Sequence, residues 1–215
     1  MDIIITMNKG GDTLIKTAFC SPENNDMESI KKALPESFKE KNESYINSLL
    51  TKKHQPSLGQ SLLGLLLLSS LIEDLDIDPS LGRDQYGRPF FINENRIDFN
   101  ISHSNSLVAC ALCISESANE KARIGIDCEE IYKKDPTSLA ERFFTAEEAD
   151  IIRNSNDPKY TFTRMWTQKE AYLKYKGTGI TEPLNSFKVS SIPLQLETFE
   201  KMNNIVTLCY DPNLK

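Results

Sequence analysis

The chain has 215 residues, 39% of them apolar and 26% charged, with 25 Lys and Arg against 31 Asp and Glu for a net charge of −6. A chain of this size buries roughly 70% of the surface its unfolded form exposes, enough for a real core, and the composition excludes wholesale disorder. No basic excess exists to neutralise many phosphates, which excludes a nucleic-acid binder held by bulk charge but not a small anionic ligand held by a few local cations.

The opening MDIIITMNKGGDT has no basic segment and only three consecutive isoleucines, so it does not read as a secretory leader. Residues 3–7 read as a strand, and 27–50 show a helical, lysine-rich pattern. Lys52, Lys53 and His54 then precede Pro56 and a leucine-rich helix over about 59–75. Its core, LLGLLLL at 62–68, stops at Glu73 and Asp74, short of the ~20 residues a membrane helix needs. It predicts a buried helix and no membrane contact. Pro79, Gly82, Gly87 and Pro89 punctuate a loop that holds Arg83 and Arg88.

Residues 96–102, 107–114 and 122–128 read as a three-strand meander, turning at Ser104-Asn105-Ser106 and at 115–120. The region 139–176 is helix-rich. Thr145 with Glu148 fits a capping box, Asp157-Pro158 marks a break, and a helix over 159–175 ends at Gly177 and Gly179. Alternation beyond 186 suggests two or three further strands. Each half thus offers helices plus a small antiparallel sheet, an α+β fold rather than regular βαβ alternation. Five scattered cysteines, Cys20, Cys110, Cys113, Cys128 and Cys209, read as reduced thiols of a cytoplasmic protein. The C-x-x-C at 110–113 lies in a strand-like run, where residues three apart face opposite ways, and no second pair completes a zinc site.

Three segments carry candidate chemistry. In I-G-I-D-C-E at 124–129, Asp127 and Glu129 share one face of a strand about 6.6 Å apart, two hard oxygen donors of the kind Mg²⁺ takes, or simply acids facing water. In W-T-Q-K-E-A-Y-L-K at 166–174, Trp166, Glu170 and Lys174 lie on one helical stripe, so Glu170 is either a third ligand or base, or half of a surface ion pair. In F-N-I-S-H-S at 99–104, Ser102 and His103 point apart and cannot form a nucleophile–base pair. They could instead donate to a phosphate or merely flank a turn. There is no G-x-S-x-G, no G-x-x-x-x-G-K-[ST] and no G-x-G-x-x-G, which leaves hydrolase, P-loop and dinucleotide readings unsupported.

Taken in order, Y-G-R-P, F-N-I-S-H-S, I-G-I-D-C-E, R-F-F-T-A-E-E and W-T-Q-K-E-A-Y-L-K resemble the 4′-phosphopantetheinyl transferases of the surfactin-synthetase-activating type, in which one chain carries two related halves. The resemblance spans about residues 50–190 and is strongest over 86–179. It implies transfer of the phosphopantetheine arm of coenzyme A to a serine of an acyl or peptidyl carrier protein, with Mg²⁺ (or Mn²⁺) and release of adenosine 3′,5′-bisphosphate. It implies Asp127, Glu129 and Glu170 as metal ligands, Glu148 as a further site carboxylate, Lys174 at the phosphates and Glu170 as the base. Arg88, Ser102 and His103 are implied at the 3′-phosphate, and Lys52 and Lys53 at the remaining nucleotide phosphates. A basic residue often found just before the leucine helix is Gln60 here, which leaves the N-terminal part of the nucleotide grip open.

The implied organisation is a monomer with pseudo-two-fold halves: 1–121 as the coenzyme A phosphate grip, and 122–215 with the magnesium site and catalytic helix. From another class, a catalytically silent coenzyme A or carrier-protein binder on the same fold remains open. A magnesium-dependent phosphoesterase would need a positioned water where the carrier serine enters.

Overall fold

The structure is a computed structural model describing residues 3–10, 13–23, 26–51, 55–117, 120–178 and 182–213. The chain starts with a hairpin, β1 (Ile4–Gly10) and β2 (Thr13–Cys20). The second strand escapes sequence patterning because almost every residue of TLIKTAFC is buried, so no polar face alternates with an apolar one. The lysine-rich segment expected as one helix is three: α1 (Met27–Ala33), α2 (Glu36–Lys41) and α3 (Glu43–Leu50). Pro35 forces the first break, since Leu34 before it takes the extended backbone (φ −64°, ψ 131°) that proline imposes on its predecessor.

The leucine run forms α4 (Gln55–Leu71), with Leu62, Leu63, Leu65 to Leu68 and Leu71 all buried. It is apolar all round because α1 and α3 cover one side and the first sheet the other. Where a loop was expected, β3 (Leu81–Arg83) and β4 (Pro89–Phe91) make a small hairpin. Next come β5 (Ile97–His103) and β6 (Val108–Ser115), which complete an antiparallel sheet in the order β1-β2-β6-β5.

The expected meander ends there. β7 (Ile124–Glu130) starts a second sheet and pairs with β9 (Asn204–Tyr210), placing Asp127 opposite Thr207; β8 (Gln195–Lys201) forms the far edge. Between β7 and β8 lie α5 (Thr137–Phe143), α6 (Ala146–Arg153) and α7 (Pro158–Lys176). Asp157 caps the start of α7, and Gly177 ends it in the left-handed conformation (φ 70°) that favours glycine. The Thr145/Glu148 capping box forms as expected at the start of α6.

The two sheets pack face to face. Cys110 belongs to the core shared with α4, while Cys113 belongs to the core between the sheets, on the opposite side of β6. The sheets also meet edge to edge through side chains. Asp98, Asn100 and Ser102 of β5 accept from the backbone N–H groups of Ile124 (2.9 Å), Ile126 (3.0 Å) and Cys128 (3.3 Å) of β7. This ladder fixes the height of β7 against β5. Among the described residues, no helix is long and apolar enough to cross a membrane.

Candidate active site

On β7, Gly125, Asp127 and Glu129 share the face covered by α7. A Cβ on Gly125 would stand 2.0 Å from the carbonyl oxygen of Ala171 and 2.6 Å from the amide nitrogen of Tyr175. Only glycine lets the helix backbone come this close, and that approach brings Glu170 and Lys174 over the strand. Lys174 Nζ donates to Asp127 Oδ1 (2.7 Å) and Ser102 Oγ (2.8 Å), while Ser102 Oγ donates to Asp127 Oδ1 (3.0 Å). Burial opposes the charge on Lys174, but Asp127 beside it outweighs that and raises its pKa.

Asp127 is only 4% exposed, and its Oδ2 is buried without a hydrogen-bond partner among the described residues. Burial, then the charge of Asp127, pushes the Glu129 carboxyl up to about 7; the same two causes raise that of Glu170. As the side chains stand, no three His, Cys, Asp or Glu among the described residues are gathered closely enough to ligate one ion. The donor chemistry nevertheless fits a hard cation: an orphaned carboxylate oxygen beside two acids whose ionisation the first disfavours.

A cleft of about 300 Å³ opens between β5 and α7, lined by Arg88, Asn100, Ile101, Glu170, Leu173 and Lys174 among others. A second, of about 220 Å³, is lined by Glu129, Glu130, Tyr132, Phe143, Phe162 and Trp166. A further cavity, about 760 Å³ beside Phe38 and Ile77, is lined by none of the expected site residues.

Lys174 thus contacts Asp127, and Glu129 and Glu170 lie near enough to feel the charge of Asp127, but three other residues are held otherwise than the resemblance implies. The Arg88 guanidinium is bound inside the protein, donating to Asp98 Oδ2 (2.6 Å), to the carbonyls of Phe99 (3.2 Å) and Ile124 (2.9 Å), and to that of Lys174. Far from reaching freely for a phosphate, it fastens β5, β7 and α7 to one another. Ser102 likewise spends its hydroxyl on Cys128, Asp127 and Lys174 rather than on an open phosphate site.

Glu148 is 3% exposed, and its carboxylate is taken up by hydrogen bonds inside the protein. Its Oε1 accepts from Val189 N (2.8 Å), and its Oε2 from Thr145 and from Lys169 Nζ (2.6 Å). Lys169, fully buried, also donates to the carbonyls of Leu184 and Phe187, so the pair ties α6 and α7 to the segment that follows. These contacts give Glu148 a structural role. His103 is exposed at the end of β5. Lys52 and Lys53 lie outside the described residues. Gln60 donates to the carbonyl of Ser104 (2.7 Å).

Sequence reasoning missed Asp98, Asn100, Gly125 and Lys169. The i, i+2, i+4 polar series at 98, 100 and 102, alternating with Ile97, Phe99 and Ile101, was the available signal for the ladder.

Residues 123–209 match the family model of the 4′-phosphopantetheinyl transferase superfamily. The chain is 31% identical over 182 residues to the 4′-phosphopantetheinyl transferase gsp of Aneurinibacillus migulanus, covering 82% of this chain and 71% of that protein. It is 30% identical over 197 residues to the 4′-phosphopantetheinyl transferase Sfp of Bacillus subtilis, covering 82% and 84%. A Haemophilus influenzae protein provisionally described as a 4′-phosphopantetheinyl transferase is 35% identical over 153 residues; there the match spans 71% of this chain and 63% of the relative's own length.

Proposed function

The chain belongs to the 4′-phosphopantetheinyl transferases, and from that premise we propose that it transfers the 4′-phosphopantetheine group of coenzyme A to a serine of an apo acyl or peptidyl carrier protein. The observation that carries this reading is the convergence of Glu170 and Lys174 with Asp127 at the end of the cleft between β5 and α7. The serine oxygen forms a bond to the phosphorus bearing the pantetheine arm. The bond from that phosphorus to the bridging oxygen breaks, and adenosine 3′,5′-bisphosphate leaves.

Glu170 takes the serine proton. Its burial next to Asp127 raises its basicity, which suits a general base. Lys174 stabilises the charge that builds on the leaving phosphate oxygen. Asp127, Glu129 and Glu170 are the residues that would hold Mg²⁺, with Mn²⁺ as a substitute. The bound cation supplies charge neutralisation at the diphosphate. His103, Lys52 and Lys53 stay in the proposal as nucleotide contacts, while Arg88 and Ser102 serve it through the scaffold.

We further propose that the halves divide at 121/122, that the chain acts as a monomer, and that it works in the cytoplasm; five buried free thiols are consistent with a reducing compartment. The test is incubation of apo carrier proteins with coenzyme A and Mg²⁺, followed by intact-mass measurement. A mass gain on the acceptor serine supports transfer. Tight coenzyme A binding with no mass gain across fatty-acid, polyketide and peptide carriers would favour the silent binder.

A further inference from the structure

We propose that Asn100 binds the ligand of the cleft directly, its side-chain amide N–H₂ donating to a phosphoryl oxygen of coenzyme A. The inference rests on the functional reading above and adds to it a residue that no motif assigned. Asn100 is 6% exposed on β5, and the part of it that is not enclosed lines the 300 Å³ cleft beside Glu170 and Lys174. The orientation of its amide follows from the ladder. Ile126 N–H can be received only by an oxygen, so Oδ1 faces β7 at 3.0 Å and Nδ2 is turned away from that strand.

No protein acceptor among the described residues takes a hydrogen bond from Nδ2. Nδ2 is not one of the fully enclosed atoms that lack a partner, so solvent reaches it, and the cleft that Asn100 lines is where a ligand oxygen can take the place of that water. The neighbouring cations are not equivalent to this donor. Lys174 spends its ammonium on Asp127 and Ser102, and Arg88 is spent on Asp98 and three carbonyls. Asn100 therefore offers the cleft a donor already aimed, held from behind by the strand that carries the candidate metal ligands. A phosphoryl oxygen is its natural acceptor, because a hydrogen bond to an anionic oxygen is stronger than one to a neutral carbonyl.

Two variants separate this contact from a purely structural role. Ser102 on the same strand shows that a serine oxygen can receive a β7 N–H in this ladder. Asn100→Ser therefore keeps an acceptor for Ile126, while its one remaining donor, the hydroxyl, sits on a side chain one bond shorter and falls back from the cleft. Asn100→Asp keeps the shape and the acceptor but turns a negative oxygen toward the cleft.

Steady-state transfer and calorimetric coenzyme A affinity are measured for the purified full-length chain, alongside thermal unfolding. Both variants should weaken coenzyme A roughly tenfold or more, in KM and in Kd, while kcat stays within about twofold and Asn100→Ser unfolds close to wild type. Repeating the comparison with 3′-dephospho-coenzyme A locates the acceptor. A penalty that vanishes places it on the 3′-phosphate, and one that persists places it on the diphosphate. Wild-type affinity in a folded Asn100→Ser variant overturns the proposal. A wild-type chain that binds coenzyme A but transfers nothing overturns the functional reading alone, since the calorimetric comparison still reports the contact.

Discussion

The ammonium of Lys174 lies 2.7 Å from Oδ1 of Asp127, so in the ligand-free chain the cation expected at the diphosphate rests on a carboxylate expected at the metal. Read from sequence, Asp127 and Glu129 form a self-repelling pair that removal of one acid might relieve. Lys174 reverses that sign, because deleting either partner leaves the other charge poorly compensated. Lys174→Ala should lower the stability of the metal-free protein by about 2 kcal/mol, less than a fully enclosed pair because the lysine is partly exposed. Added Mg²⁺ should stabilise the variant more than it does wild type. Its kcat should fall by about a hundredfold or more. Thermal unfolding with and without Mg²⁺, beside carrier mass gain, checks both; unchanged values on each axis would reduce the pair to surface decoration.

Gly125→Ala should be far more damaging than its size suggests. The new methyl meets backbone of α7, which cannot rotate aside as a side chain would. We expect a loss of about 3 kcal/mol or more. Residual folded protein should lose transfer activity because Glu170 and Lys174 move off β7. Denaturant unfolding and turnover measured on the same sample test this; full activity at wild-type stability would mean the helix can lift without consequence.

Arg88→Ala discriminates a phosphate grip from a structural fastener. Asp98 is deeply buried, and burial pushes its carboxyl up against the opposing pull of Arg88 and the Ile124 N–H. Removing Arg88 should therefore cost about 3–5 kcal/mol. Arg88→Lys should recover little of it, since an ammonium cannot reproduce a fork that reaches three carbonyls and a carboxylate. A variant that unfolds like wild type and shows only a raised KM for coenzyme A would restore the phosphate role.

Acid stability should depend on Glu148. Burial opposes its charge, but the hydrogen bonds from Lys169, Val189 and Thr145 prevail and hold the carboxyl below its ordinary value of 4.5. A depressed folded pKa contributes stability that is complete above the unfolded value and is lost as pH falls through the folded one. The stability gap between wild type and Glu148→Gln should thus be widest near about pH 6 and narrow toward about pH 3. Chemical denaturation across that range measures it. A gap constant with pH would show that this carboxyl does not titrate with unfolding.

What the sequence made legible was local. Thr145 and Glu148 are three residues apart, Gly177 immediately follows its helix, and the spacing of Asp127 with Glu129 and of Glu170 with Lys174 places each pair on one face. What it hid depended on distant partners. The role of Arg88 is set by Asp98 and by a carbonyl 86 residues away, and that of Glu148 by a lysine 21 residues on. β7 looked like the next strand of a meander because nothing in its own residues reveals that β9 is its partner. β2 went unseen because burial on both faces erases the alternation by which strands are found.

The five thiols give this chain a built-in clock for its own opening. All are buried, and burial pushes Cys20 up to about 11 and Cys113, Cys128 and Cys209 up to about 12, with Cys110 raised as well. Thiolate is scarce in the native state, so an alkylating reagent can report only on molecules that have transiently come apart. Cys20, Cys110 and Cys113 sit on the first sheet, and Cys128 and Cys209 on the second. If the side-chain ladder between β5 and β7 welds the two into one cooperative unit, all five become modified at one common rate. Two distinct rates, divided between 113 and 128, would instead reveal halves that breathe separately.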